Sequence, residues 1–158
     1  MTLITSVIST PIGPFSFSVV DGKVIEATFG STRKLRRRGR IVKSVPIISP
    51  ALRAYFRGEI RAIDSIPVEI SSTEFRSRVL RAMRRIPAGK VMSYKELARR
   101  SGSADASRAV GSTCASNQIP LIIPCHRVLP SDGSIGNYGY GAKKKIWLLE
   151  FEGGISSS

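Results

Sequence analysis

The sequence is poor in the residues that build metal centres and disulfide frameworks. Its 158 residues include two cysteines, Cys114 and Cys125, and a single histidine, His126. A structural zinc site takes about four Cys or His ligands, so this kind of site is excluded. Two cysteines also argue against the disulfide-stapled fold of small secreted proteins. We therefore expect neither a metal nor a cofactor.

Long apolar stretches are missing as well. No run approaches the ~18 apolar residues of a membrane-spanning helix. The segment before Pro14 lacks the basic lead and the apolar core of a signal peptide. The sequence therefore predicts a cytoplasmic protein, or a nuclear one in a eukaryote.

Acidic residues are scarce relative to basic ones. The chain has 25 Lys and Arg against 11 Asp and Glu, a formal charge of +14. Such a charge favours a polyanionic partner, above all nucleic acid, over an acidic membrane surface or a basic surface with no specific partner. Basic residues are densest from Arg33 to Arg40. That run is typical of a mobile, solvated loop, and a non-specific phosphate contact is the alternative.

The first part of the chain has the pattern of a small sheet. Residues 3–9, 15–20 and 23–29 are rich in β-formers, and Asp21-Gly22 is a hairpin-turn pair. Residues 48–57 can form a helix that ends at Gly58. Residues 67–72 have the composition of a linker. We therefore predict an N-terminal domain over residues 1–70 and a second domain over 71–158.

The second part has a helical pattern. Residues 73–85 carry apolar side chains at 3.6-residue spacing. Ser93 and Glu96 have the spacing of a capping box and predict a helix over 94–100. Asp105 is placed to cap a further helix over 106–116. Two short helices separated by a turn resemble a helix-turn-helix. Because strands dominate the first part and helices the second, the predicted fold class is α+β.

The segment Pro124-Cys125-His126-Arg127 carries the chemistry. A thiolate is a nucleophile, and a neighbouring base raises its population. The alternative is an inert structural cysteine at the end of a buried strand. Adjacent residues of a strand point to opposite faces, so a direct Cys125–His126 contact needs a turn or a bridging water. Cys114 lies among small helix residues and is interpreted as a packing residue.

These residues resemble the active-site signature of the O6-alkylguanine-DNA alkyltransferases. The resemblance covers about residues 51–154 and is weak over the first 50. Further blocks occur in the family's order: Ile86 to Val91, Ser93 to Ala98, Ser107 to Gly111, Asn117 with Pro120, Asp132-Gly133, Gly136 to Tyr138, Lys143 to Lys145, and Trp147 to Gly153.

The resemblance implies a small N-terminal α/β domain of the RNase H type and a C-terminal catalytic domain of the winged helix-turn-helix type. It implies DNA repair by direct transfer of an alkyl group, typically methyl, from O6 of guanine in double-stranded DNA to a protein cysteine. The damaged base would be flipped out of the duplex. The thioether product would be permanent, so each molecule, acting as a monomer and without a cofactor, would react once.

The resemblance also assigns roles to residues. Cys125 would accept the alkyl group, His126 would take its proton through a water, and Glu152 would hold the histidine tautomer. Tyr94 would protonate the leaving guanine and press on the target phosphate, and Asn117 would tie its helix to the Cys125 segment. Arg108 would fill the space that the flipped base vacates. The other DNA contacts would be Ser93, Ser107, Ala109 and Gly111, and the base pocket would be formed by Val128, Asn137, Tyr138 and Gly139.

Three positions depart from the family pattern, and two other functions stay open. Tyr140 stands where glycine is common, Gly139 where serine is common, and Gln118 where proline is frequent. Tyr140 and Gly139 bear on the shape of the pocket loop and on its tolerance for bulky alkyl groups, and Gln118 bears on the turn after Asn117. One alternative is a lesion-sensing DNA-binding protein without transfer, but such proteins lack the acceptor cysteine. The other is a cysteine hydrolase, for which a second histidine and an oxyanion loop are missing.

Overall fold

The computed structural model describes residues 2–156 and contains five α-helices and six strands in that range. This is the mixed α+β fold class that the sequence predicts. The chain divides into two compact units, one up to Ile70 that includes Gln118–Ile122, and one over Ser71–Asn117 that resumes at Ile123. No helix within residues 2–156 is both long enough and apolar enough to cross a membrane.

The first unit is built on a four-stranded sheet. Strands β1 (Leu3–Thr10), β2 (Gly13–Val20) and β3 (Lys23–Phe29) are antiparallel, and the short β4 (Arg40–Ile41) pairs with β1 in parallel, which gives the order β3-β2-β1-β4. The predicted hairpin is confirmed, with positive φ at both Asp21 and Gly22. Helix α1 (Ile48–Phe56) contacts β1. Leu52 and Tyr55 of α1 are fully buried, as are Phe15 and Phe17 of β2.

The other face of this sheet carries a row of buried polar side chains that holds a loop. Thr5, Ser18 and Glu26 stand side by side on β1, β2 and β3. The Glu26 carboxylate accepts the backbone N–H groups of Arg36 and Arg37, at 2.8 and 3.0 Å. The row therefore fixes the backbone of residues 36–39, and the run from Arg33 to Arg40 is an anchored segment that leads into β4.

A chain of hydrogen bonds completes this anchor. The Gly39 N–H donates to Thr5 Oγ1 at 2.9 Å, and Ser18 Oγ donates to the Arg37 carbonyl at 2.6 Å. Thr5 and Ser18 are themselves 2.8 Å apart, oxygen to oxygen. Because the Ser18 proton is committed to Arg37, Thr5 is the donor in that pair. Every polar atom of the row is thus used to hold the loop backbone.

The second unit is helical. It contains α2 (Glu74–Arg84), α3 (Tyr94–Arg100), α4 (Ser107–Ala115) and α5 (Ala142–Glu152), with a two-stranded parallel pair of β5 (Met92–Ser93) and β6 (Val128–Leu129). Ser93 caps α3 by accepting the Glu96 N–H at 3.0 Å, as predicted. The reciprocal half of the capping box does not form, because the Glu96 carboxylate binds Arg99 and Arg100.

The predicted start of α4 is wrong. The helix begins at Ser107, its N-cap residue is Ala106, and no side chain caps it. The reason is local: the Ala106 N–H donates to the Ser103 carbonyl at 3.1 Å, so residues 103–106 form a turn of their own. Asp105 lies inside this turn, one residue before the cap position.

Residues 118–122 group with the first unit, whereas the predicted boundary at residue 70 assigns them to the second domain. The Ala27 N–H of β3 donates to the Gln118 carbonyl at 2.8 Å, and Arg37 Nη2 donates to Gln118 Oε1 at 3.2 Å. A composition shift marks only where a chain first leaves a unit. It carries no signal for a short segment that pairs back through backbone hydrogen bonds.

The anchor predicts a sensitivity at Gly39. A Cβ at this position would lie 1.8 Å from the Leu3 carbonyl oxygen, so Gly39→Ala forces the backbone apart. We expect it to lower the free energy of unfolding of the first unit by about 1–3 kcal/mol. Urea unfolding followed by far-UV circular dichroism measures this.

Gly154→Ala is the matched control, because its Cβ would meet Leu149 and Val91 at an ordinary 3.5 Å. Unfolding of Gly39→Ala at the wild-type urea midpoint in circular dichroism would contradict the anchored loop.

Candidate functional site

Cys125 lies in a tight turn and not at the end of a strand. The apolar run breaks at Leu121, which has a φ of 72°, and residues Cys125–Arg127 form a single 3-10 turn before β6. Successive side chains of a 3-10 turn are about 120° apart rather than opposite. The geometric objection to a cooperating Cys125–His126 pair, which applies to a strand, therefore does not apply here.

A buried carboxylate organises this turn. Glu152, the last residue of α5, receives Nε and Nη2 of Arg127 on its two oxygens, at 2.9 and 2.8 Å. The third Arg127 contact runs from Nη1 to the Ile86 carbonyl at 2.7 Å. Burial alone would raise the pKa of Glu152, but the interactions with His126 and Arg127 outweigh it and hold this pKa well below its usual range. The carboxylate is ionised at neutral pH.

The ionised Glu152 fixes the tautomer of His126. Its Oε2 lies 3.0 Å from His126 Nε2. A carboxylate only accepts, so Nε2 carries the proton and Nδ1 is the basic nitrogen. Nδ1 is buried and has no hydrogen-bond partner among the described residues. Burial lowers the pKa of His126; Glu152 opposes this, and the positive charges of Arg127 and Lys145 add to it. The resting imidazole is a neutral base.

Two groups beside the Cys125 thiol favour its anion, but burial outweighs them. Burial raises its pKa, while a hydrogen bond from Asn117 and the charge of Lys145 act in the opposite direction. Asn117 also donates from Nδ2 to the Ile123 carbonyl at 2.8 Å, so it links the residues after α4 to the Cys125 turn. At rest the thiol is protonated, and the anion forms only when a base takes the proton.

The contacts of Arg127 and Lys145 are the part of the site that sequence reasoning missed. Lys145 is fully buried, and its Nζ donates to the carbonyls of Val128 at 3.0 Å and Asn137 at 3.3 Å. It thereby joins β6 to the loop around Asn137. Arg127 lies inside an apolar run, and a charged residue in such a run is a signal for a buried ion pair. Lys145 follows Lys143 and Lys144, so no local pattern distinguishes it as the buried lysine.

A cavity of about 810 Å³ opens at Cys125. Tyr94, at the first position of α3, lines it, and burial followed by the charges of the two cysteines raises the pKa of this tyrosine to about 12. Tyr94 is therefore a neutral hydroxyl. The lining is completed by Gly111, Cys114, Ala115, Asn117, Pro130 and residues 136–140.

Most predicted pocket residues line this cavity, and the predicted DNA contacts lie on or beside two helices. Asn137, Tyr138 and Gly139 are in the lining, with Tyr140 edge-to-face on Tyr138 at 5.5 Å between ring centroids. Val128 is fully buried and outside the lining. The set predicted for DNA is exposed or half-buried, with Ser93 and Tyr94 at the start of α3 and Ser107, Arg108, Ala109 and Gly111 on α4.

The two cysteines differ in their surroundings. Both are free thiols. Burial, together with the negative charge of Cys125, raises the pKa of Cys114 to about 12. Cys114 lacks the hydrogen bond from Asn117 that Cys125 receives. Within the described residues no cluster of three or more His, Cys, Asp or Glu side chains is arranged to hold a metal ion.

Known proteins are similar to this chain in sequence. The family described as "6-O-methylguanine DNA methyltransferase, DNA binding domain" matches residues 74–154. A methylated-DNA–protein-cysteine methyltransferase of Mycobacterium leprae is 35% identical over 150 residues, which cover 90% of this chain and 88% of that protein. The chain belongs to the methylated-DNA–protein-cysteine methyltransferase family.

Other members of the family are similar over parts of the sequence or over the whole fold. The member from Shigella flexneri is 42% identical over 106 residues, which cover 67% of this chain and 62% of that protein. The crystal structure of the Mycobacterium tuberculosis O6-methylguanine methyltransferase is 29% identical, with a TM-score of 0.82 over 96% of this chain and 93% of that one. The structure of Mycobacterium tuberculosis OGT in complex with DNA is 30% identical, with a TM-score of 0.81 over 94% and 92%.

The tautomer and the pKa of His126 can be measured directly, because this is the only histidine in the chain. We expect ¹⁵N NMR of histidine-labelled protein to show a proton on Nε2 and a neutral ring down to a pH below the ordinary pKa of 6.5. The same protein in concentrated urea is the control and should titrate near 6.5. A titration of the folded protein at or above 6.5, or a proton on Nδ1, would overturn this description.

Proposed function

We propose that this protein repairs DNA by transferring a methyl or other small alkyl group from O6 of guanine in duplex DNA to Cys125, once per molecule. The observation that carries the proposal is the Cys125 thiol at the wall of the cavity, in one turn with a neutral His126 whose tautomer Glu152 fixes. A thiol, a base of this kind and a space for a flipped base are what transfer to sulfur requires.

The proposed reaction balances without a co-reactant. His126 Nδ1 takes the Cys125 proton through a bridging water, and the sulfur forms a bond to the alkyl carbon. The bond between that carbon and O6 breaks, and its electron pair leaves with guanine. Tyr94 gives its hydroxyl proton to the leaving base and regains one from solvent. The raised pKa of Tyr94 keeps that proton available, and the imidazolium that forms on His126 is stabilised by Glu152.

The chemistry of the product makes the reaction irreversible. The sulfur of an alkylated cysteine is a thioether, which offers no carbonyl for water to attack, in contrast to an acyl-enzyme. No group among the described residues is placed to remove the alkyl chain. The protein would therefore be consumed in stoichiometric amounts.

We assign the DNA contact to the second unit. The Mycobacterium tuberculosis structure with DNA and the family match over residues 74–154 support this assignment. In the proposed complex, α3 and α4 act as a helix-turn-helix of the winged type, Arg108 fills the stack, and Ser93, Ser107, Ala109 and Gly111 approach the backbone. Asn137, Tyr138, Gly139 and the chain near Val128 hold the base.

The remaining assignments follow from this function. The N-terminal domain, residues 1–70, would have the RNase H type of α/β fold, and residues 71–158 would form the DNA-binding and alkyl-acceptor domain. The protein would act as a monomer on double-stranded DNA. Its place would be the compartment that holds the DNA, which is the cytoplasm or, in a eukaryote, the nucleus.

Intact-protein mass spectrometry tests the transfer. After incubation with a duplex that carries one O6-methylguanine, we expect one added methyl group per chain, on the peptide that contains Cys125. Cys114→Ala is the matched control and should gain the same mass, whereas Cys125→Ala should gain none and still bind the duplex. Tight binding of the wild type without added mass would favour a lesion sensor, and turnover of an ester or amide would favour a hydrolase.

The role of Arg108 is tested by comparing two substrates. Arg108 is exposed on the first turn of α4 and does not line the cavity. We expect Arg108→Ala to slow methyl transfer from duplex DNA by at least tenfold and to leave the reaction with free O6-benzylguanine near the wild-type rate. Equal losses with both substrates would exclude a role in holding the base out of the stack. Arg99→Ala, an exposed arginine on α3, is the control.

A further inference from the structure

A second surface of this protein has the chemistry of a nucleic-acid contact. Between Arg33 and Lys43 the sequence carries seven lysines and arginines and no acid. We call these eleven residues the basic segment. Its seven cations are all exposed: Arg33, Lys34, Arg36, Arg37, Arg38, Arg40 and Lys43. The segment belongs to the first unit and lies outside the family match over residues 74–154.

The charges of the basic segment are almost entirely unneutralised. Arg37 lies 3.6 Å from the Glu26 carboxylate, Nε to Oε1. Among residues 2–156, no carboxylate forms an ion pair with the other six cations. Concentrating like charges costs self-repulsion. The first unit bears that cost in the absence of a ligand, and a polyanion would relieve it.

The sheet of the first unit fixes the backbone that carries these charges. The polar row of Thr5, Ser18 and Glu26 holds residues 36–39 by four hydrogen bonds to the backbone. The buried Leu35 and the start of β4 at Arg40 fix the chain on either side. A basic loop without such an anchor would lose backbone conformational entropy on binding, whereas here the backbone of residues 36–39 is ordered before a ligand arrives.

The composition of the segment favours phosphate as its ligand. Five of the seven cations are arginines, whose planar guanidinium donates two parallel hydrogen bonds to a phosphate. The side chains of Arg33, Arg36 and Arg38 form no hydrogen bond with the described residues, so their donors are free. The polar row forms its hydrogen bonds with backbone groups of the segment. The guanidinium groups of Arg33, Arg36 and Arg38 therefore remain available for a partner.

We propose that the basic segment is a second, sequence-independent contact for the phosphate backbone of duplex DNA, supplied by the first unit. The proposal rests on the proposed function only for the identity of the polyanion, since a protein that repairs DNA meets long duplexes. A contact of this kind would raise affinity for any sequence and would add to the dependence of affinity on salt. It would not take part in alkyl transfer.

The test is the salt dependence of binding of the full chain to an undamaged duplex. Each phosphate contact contributes about 0.9 to the slope of log K against log salt. Arg33→Gln, Arg36→Gln and Arg38→Gln, combined in one variant, should therefore reduce the slope by about 2.7. The matched control is the triple variant Arg53→Gln, Arg57→Gln and Arg61→Gln, which removes the same charge from the same unit and should change the slope little.

Two outcomes with DNA overturn the proposal. An unchanged slope for the Arg33, Arg36 and Arg38 variant would show that the segment does not meet phosphate. An equal reduction in the control would show an effect of net charge alone. Binding of the wild type, but not of this variant, to vesicles of phosphatidylcholine and phosphatidylserine, with unchanged DNA slopes, would assign the segment to a membrane surface instead.

Folding and function are separated within the same experiment. The reaction of the triple variant with free O6-benzylguanine should keep the wild-type rate, and a second variant, Lys34→Gln with Lys43→Gln, should lower the slope by about 1.8 without touching the anchored residues. If the wild type gains a methyl group on Cys125 while no variant changes the slope, only the basic segment is misassigned. If the slopes change and no methyl is gained, the alkyl transfer is misassigned.

Discussion

The ionised carboxylate of Glu152 is the constraint on which the second unit depends. It is buried at the end of α5, and it receives the guanidinium of Arg127 on both oxygens and the imidazole of His126 on one. Loss of one partner of such a buried pair costs about 3–5 kcal/mol, because the other charge stays buried without compensation. This one carboxylate therefore fixes the tautomer of His126 and joins the turn that carries Cys125 to the end of α5.

In the first unit, too, a buried carboxylate holds a neighbouring segment, but its partners are different. Glu26 is also a buried carboxylate, but it receives two backbone N–H groups of a loop that has no regular structure of its own. In both units an irregular segment carries the exposed or reactive groups, and a buried acid from a helix end or a strand holds that segment. Two of the eleven acids in this basic chain, Glu26 and Glu152, thus hold the segments that contain Arg36, Arg37 and Arg127.

Local patterns predicted the elements, and distant contacts account for the differences. Strand β3 and helix α3 have their predicted bounds because the β-forming residues, the hairpin pair and the Ser93 cap are encoded within a few residues. The predicted start of α4 is wrong because residues 103–106 form a separate turn, and the helix begins after it. The resemblance predicts which residues react, whereas the contacts of Arg127 and Lys145 lie outside any local pattern because they join residues up to 41 positions apart. No local pattern encodes such a pairing.

The way in which the basic segment is held has a consequence for how this protein can change over evolutionary time. The polar row binds the backbone of residues 36–39, and of the side chains at these positions only that of Arg37 forms hydrogen bonds with the described part of the chain. Exposed residues such as Arg36 and Arg38 can therefore be exchanged without loss of the fold. Charge on this surface is a quantity that selection, or an engineer, can adjust one residue at a time while the scaffold and the turn around Cys125 remain as they are.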